Sequence, residues 1–149
     1  MERHTHCKYV WRQALIDFND VPIFAELAIM KLFKISGWQA RWIETYGAKV
    51  TMPFYLSNWT DSKLLAQPID LIQDDKINTI LNAISVINGN SYSGCWDVFG
   101  WHHNRIVFAE TKRIKKDRIR ESQNRWLTAG LNYGLSVDNF LIVQWDFIN

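Results

Sequence analysis

The sequence predicts an α/β fold, a mixed central sheet flanked by helices on both faces. Apolar segments with helical spacing alternate with short aromatic and β-branched runs, in the order helix, strands, helix, hairpin, helix, strand. The 149 residues contain no linker, internal repeat or low-complexity stretch, which predicts one domain over 1–149. Hydrophobic residues are 48% and charged residues 21%, a balance that excludes a largely disordered chain. Eight Trp, five Tyr and eight Phe supply a bulky core.

Residues 1 to about 18 carry no clear period and are expected to form an arm, with one short strand around Tyr9 to Trp11. Val21 to Ile35 is expected as a helix, with Asp20 as N-cap, Pro22 in the first turn and Ser36-Gly37 as the stop. It is apolar nearly all round, which predicts burial. Trp38 to Tyr46 reads as a strand ended by Gly47. Val50 to Leu56 reads as another, confined to an edge by Pro53. Residues 57–70 read as irregular. Asp74 or Asp75 caps a second helix whose Ile77, Ile80, Leu81, Ile84 and Ile87 recur at helical spacing, with Gly89 after its end. A strand pair, Cys95 to Trp101 and Ile106 to Lys112, is joined through 102–105. A third helix begins between Asp117 and Glu121 and runs to about Ala129, with Gly130 and Gly134 at its exit. Val137 to Trp145 is the final strand.

No apolar run approaches the ~18 residues of a membrane span. The polar start, Met1 to Cys7, lacks the apolar core of a signal peptide and predicts a cytoplasmic protein. Cys7 and Cys95 do not make a disulfide framework. The formal net charge is only +2, but it is unevenly placed. Residues 112–125 hold seven Lys/Arg against two acids, which leaves −3 on the rest. That asymmetry points to an anionic partner.

The hairpin gives a geometric expectation. With its turn centred on His103-Asn104, Trp101 faces Ile106, Phe99 faces Phe108 and Asp97 faces Glu110. Opposed residues share a face, and Lys112 joins them two positions on. Two opposed carboxylates repel unless a cation lies between them, and hard oxygen ligands suit Mg2+ or Mn2+. Lys112 would then orient a water or steady charge on a phosphate. A salt-bridged strand end, with Lys112 balancing the acids, is an equally weighted alternative from geometry alone. Gln123 shares a helix face with Trp126, Leu127 and Gly130 and so points inward, where it needs a partner. Glu26, alone among acids on the apolar first helix, has the same need.

Asp97 followed by Glu110-Thr111-Lys112 resembles the D…(D/E)xK signature of the PD-(D/E)XK nuclease superfamily. The flanks are similar to the VRR-NUC family (virus-type replication-repair nuclease). They comprise Gly94-Cys95-Trp96-Asp97-Val98, Ile106 to Lys112, Asp117-Arg118-Ile119, Gln123, Trp126-Leu127 and Phe140 to Trp145. The similarity covers about residues 94–145, and Glu26 with Trp42 to Gly47 resembles the N-terminal part of bacterial members. Trp96 stands where Pro is common and Thr111 replaces Val or Cys. The loop from Lys112 to Asp117 is one residue longer, and Arg120 takes the place of a small capping residue.

The resemblance implies a restriction-endonuclease-like fold and a metal-dependent DNA endonuclease, bacterial or phage-encoded. Asp97, Glu110 and the Thr111 carbonyl would bind one or two Mg2+ or Mn2+ ions. Lys112 would position the water, Gln123 would help hold the site, and Glu26 would be an outer carboxylate. A bound metal ion activates water and offsets phosphate charge. Small stand-alone members suggest a homodimer acting on branched DNA such as four-way junctions, in replication, recombination or repair. Duplex cleavage by the same superfamily, or a non-catalytic nucleic-acid-binding module with this fold, are the competing expectations.

The basic loop supports the substrate class independently. Lys115, Lys116, Arg118, Arg120 and Arg125 are the candidate DNA contacts, with Arg118 and Arg125 expected on one flank of the helix. Other signals are weaker. His4-x-His6-Cys7 has a metal-like composition but no second ligand pair. His102-His103 is expected in an exposed turn. Trp101 and Trp126 are expected in the core, and Trp59 is the Trp expected to be exposed for base stacking.

Overall fold

The structure is a computed structural model that describes residues 15–18, 21–60 and 67–146. The expected strand at Tyr9 to Trp11 and the His4, His6, Cys7 group lie outside the described residues. Part of the expected arm is ordered into a sheet: β1 (Leu15–Phe18) pairs antiparallel with β2 (Val21–Phe24).

The first helix, α1 (Ala25–Ile35), therefore starts four residues later than its period suggested, and its N-cap is Phe24 rather than Asp20. The residues explain the difference. Pro22 disfavours the helical region for Val21, and Val, Ile and Phe suit a paired strand. The partner strand β1 is near in sequence but carries no clear period of its own, so a helical count does not register the pairing. Burial of α1 is also uneven. Ala25, Leu27, Ala28, Ile29 and Met30 are buried, whereas Leu32 and Ile35 are exposed.

A five-stranded mixed sheet has the order β4-β3-β5-β6-β7, from β3 (Gln39–Lys49), β4 (Met52–Leu56), β5 (Val98–His102), β6 (Arg105–Arg113) and β7 (Phe140–Trp145). All neighbours are antiparallel except β6 and β7, which run parallel. Pro53 lies on the outer strand β4, as its missing N–H requires. Strand β3 continues beyond Gly47, whose φ of +74° is accommodated by a register shift between Glu44 and Lys49.

Helices cover both faces. On one, α1 packs on Ala40, Trp42, Leu56, Val98 and Ala109. A side chain at Gly100 would come within 2.9 Å of the Phe33 ring, so glycine permits the close approach of α1 to β5. On the other, α2 (Asp75–Ile87) and α3 (Glu121–Tyr133) bury Ile77, Leu81, Ile84, Trp126 and Ala129 against Ile43, Phe99, Trp101 and Phe108. Asp74 caps α2 by accepting the Ile77 N–H at 3.1 Å.

Helix α3 runs through Gly130 instead of ending near Ala129. Gly130 is buried where a side chain would meet the Phe140 ring, and packing outweighs its poor helix propensity. Trp101 and Trp126 are core residues as expected. Among the described residues, no helix is long and apolar enough to cross a membrane.

Candidate active site

The β5–β6 hairpin has the expected register. Phe99 pairs with Phe108, Trp101 with Ile106, and a tight turn at His103-Asn104 leaves His102 in the strand. His103 takes a φ of +54° there. His102 is half-buried and stacks on Trp38, so only His103 behaves as an exposed turn residue.

Asp97 immediately precedes β5. Its N–H donates to Glu110 Oε2 at 3.1 Å, and its carbonyl accepts the Ile43 N–H at 2.7 Å. The carboxylate is anchored through Oδ2, which accepts the Thr111 N–H at 3.2 Å and the Thr111 hydroxyl at 3.0 Å. Glu110, 2% exposed, uses its other oxygen, Oε1, for two donors. Lys112 Nζ lies 2.8 Å away and Gln123 Nε2 donates at 2.5 Å. Lys112 is 8% and Gln123 7% exposed, so these polar groups are buried and partnered.

Gln123 is held from both ends. Its Oε1 accepts the Arg120 N–H at 2.9 Å, and its carbonyl accepts Trp96 Nε1–H at 3.1 Å. Gly94 permits this docking. It sits at φ +81°, and a Cβ there would lie 2.0 Å from the Ser122 carbonyl oxygen.

Asp97, Glu110, Lys112, Gln123 and Glu26 line one cavity of ≈ 640 Å3, as does Thr111. Glu44 lines it too, a carboxylate that the sequence reading did not single out. Strand alternation carries its signal: Glu44 lies two residues beyond the buried Trp42, on the same strand face.

The acids disfavour one another's charge. Burial first, then Glu110 and Glu26, pushes the Asp97 carboxyl well above the usual carboxylate range. Glu26 is pushed up to about 7, chiefly by burial and then by Glu44, Glu110 and Asp117, against its own backbone hydrogen bond. Burial also raises Glu44, while the N–H groups of Tyr46 and Thr45 and the charge of Arg120 pull it back.

The basic residues divide. Lys116, Arg118 and Arg120 line the cavity, and Lys115 is exposed beside them with φ +60°. Arg125 lies elsewhere, on a groove between the end of α2 and α3, with its guanidinium 3.5 Å from Glu121. Arg118 and Arg125 do not share a helix flank. Arg120 is extended, with ψ 158°, so α3 starts at Glu121 and Arg118 stays in the loop. Trp59 is not an exposed platform. It is half-buried, with its ring centre 5.2 Å from Phe24 and 5.5 Å from Trp42.

Among the described residues, no group of three or more His, Cys, Asp or Glu stands at metal-ligand spacing. Mg2+ does not require such a group. It commonly takes one or two carboxylates and completes its shell with water and phosphate oxygens. Adjacent Asp97 and Glu110 fit that mode, and the mutual repulsion among Asp97, Glu110 and Glu26 is what a divalent cation would relieve.

No protein-family model matches the chain, and no curated protein or solved structure matches it either.

Proposed function

We propose that the chain is a metal-dependent DNA endonuclease with a PD-(D/E)XK architecture of VRR-NUC type, using Mg2+ or Mn2+. The observation that carries this reading is the convergence of Asp97, Glu110, Lys112 and Gln123 on a cavity also lined by Lys116, Arg118 and Arg120. Carboxylates beside a fixed ammonium are what phosphodiester hydrolysis needs, and a basic wall is what a phosphate backbone needs.

In this reading Asp97, Glu110 and the Thr111 carbonyl hold the metal ion. When bound, the ion supplies Lewis acidity and lowers the pKa of water. Lys112 orients the attacking water and offsets charge building on the phosphate. The water oxygen forms the new bond to phosphorus as a P–O ester bond breaks, leaving one phosphate and one hydroxyl end. Gln123 keeps Glu110 and the start of α3 in place. Glu26 is an outer carboxylate. Lys116, Arg118 and Arg120 hold flanking phosphates. Branched DNA, such as a four-way junction, is the preferred substrate, and a homodimer brings two sites to two strands.

One observation favours a second reading. The 2.8 Å contact of Lys112 with Glu110 is also a well-formed buried ion pair, which a non-catalytic nucleic-acid-binding module could keep for structure. Cleavage assays on junction, flap, nicked, single-stranded and duplex DNA separate the two. Metal-dependent cutting of branched DNA supports the nuclease; binding without cutting in any metal supports the module. Cutting of plain duplex at a fixed sequence would place the chain with restriction-type enzymes.

A further inference from the structure

Tyr46 is 68% and Tyr133 39% exposed, and of these Tyr46 alone lines the cavity. Most other aromatics of the described residues are buried in the core or packed against it. Trp42, also on the cavity, is buried, and Trp59 is packed on it. No aromatic ring of the described residues packs on Tyr46.

The position of Tyr46 follows from the overrun of β3. That strand pairs with β5 only from Gln39 to Trp42, so Tyr46 lies on a two-stranded extension past the central sheet. The extension is tied down. The Tyr46 N–H donates to Glu44 Oε1 at 2.8 Å, and the Val50 carbonyl accepts the Tyr92 N–H at 2.7 Å. An exposed ring on a fixed backbone loses little conformational entropy when it stacks. The same cavity carries the cations Lys116, Arg118 and Arg120. An aromatic face beside a cationic track is the pairing that binds single strands, since every base offers a π-face. A continuous duplex presents base edges and phosphates, with its base faces already stacked.

We propose that Tyr46 is a specificity-determining residue that stacks on an unpaired or splayed base next to the phosphate held by Lys116, Arg118 and Arg120. It selects DNA whose bases are free to leave the stack over continuous duplex. This rests on the nuclease reading above and names the feature of branched DNA that the site recognises.

The test uses the full chain carrying Asp97→Asn, so that binding is read without cleavage. The probes are a flap DNA with 2-aminopurine in its single-stranded arm and a matched duplex. The flap fluorescence is expected to be quenched on binding. Tyr46→Ala should abolish the quench and weaken flap binding about tenfold, with duplex binding unchanged within about twofold. Tyr46→Phe should keep both properties, because the ring and not the hydroxyl stacks, whereas Tyr46→Leu should behave as Ala. In the chain with Asp97 intact, Tyr46→Ala should lower the flap-to-duplex ratio of kcat/KM by a similar factor. Equal losses on flap and duplex, or a quench that survives Tyr46→Ala, would overturn the proposal. Cleavage that is indifferent to Tyr46 would refute this inference and leave the nuclease reading standing. A Tyr46-dependent quench in a chain that cuts no DNA would do the reverse.

Discussion

Gln123 Nε2 donates to Glu110 Oε1 at 2.5 Å, which joins the first turn of α3 to the carboxylate at the end of the β5–β6 hairpin. The same side chain accepts the Arg120 N–H, so one residue caps a helix and positions a buried acid. Replacing it with an apolar residue removes both bonds and leaves Lys112 as the remaining side-chain donor to Oε1. Gln123→Leu should destabilise the fold by about 1–3 kcal/mol, read by urea or thermal unfolding. Gln123→Glu should also destabilise near neutral pH, because it sets a second carboxylate against Glu110. Unchanged stability in both variants would contradict the linking role.

Glu26 makes stability depend on pH in a direction that can be worked out. Its folded pKa is about 7, against an ordinary 4.5. Below about 4.5 the carboxyl is protonated in both states and costs nothing. As pH rises towards 7 the unfolded chain ionises it freely while the folded chain resists, so stability falls across that window. Glu26→Gln should therefore raise the Tm by a few degrees at pH 8 and leave it unchanged at pH 4. Added Mn2+ should narrow the difference at pH 8 by stabilising the wild-type carboxylates. An equal shift at both pH values would show that packing, not charge, is responsible.

The basic loop should be visible in the salt dependence of DNA binding. Each phosphate contact contributes about 0.9 to the slope of log K against log salt. Lys116→Gln with Arg118→Gln should flatten that slope by about 2, whereas Arg125→Gln, which is off the cavity, should leave it unchanged. A slope that responds to Arg125 and not to the loop would place DNA on the α2–α3 groove.

Gly94 is a tight constraint on the site. Alanine there would have to adopt φ +81° and relieve a 2.0 Å approach to the Ser122 carbonyl oxygen. Gly94→Ala should cost about 2 kcal/mol or more and reduce cleavage, because the α3 start that carries Gln123 would have to move. Full stability and activity in this variant would mean that the loop before β5 yields without effect on α3.

Asp97, Glu110 and Lys112 were legible because a two-residue turn fixes a hairpin's register, so counting from His103-Asn104 brings them together. Gln123 was legible because an amide on an apolar helix face must find a partner. Other features depend on contacts that a local count does not register. The strand Val21–Phe24 exists through its pairing with Leu15–Phe18, which a helical count cannot register. Trp59 lies in an irregular stretch, and only the packing of Phe24 and Trp42 around it decides its burial. Tyr46 falls within the expected strand, but its exposure follows from β5 pairing with β3 only as far as Trp42, which no local pattern sets.

In the proposed nuclease, Asp97 and Glu110 serve metal-dependent phosphodiester cleavage. The most direct measurement is cleavage of labelled four-way junction and duplex DNA by the purified chain and by Asp97→Asn, in Mg2+, in Mn2+ and in EDTA. Cutting is expected in either metal, favouring the junction, absent in EDTA, and reduced at least about 100-fold in Asp97→Asn with DNA binding retained. Cutting that persists in Asp97→Asn, or in EDTA, would contradict the assignment of the site.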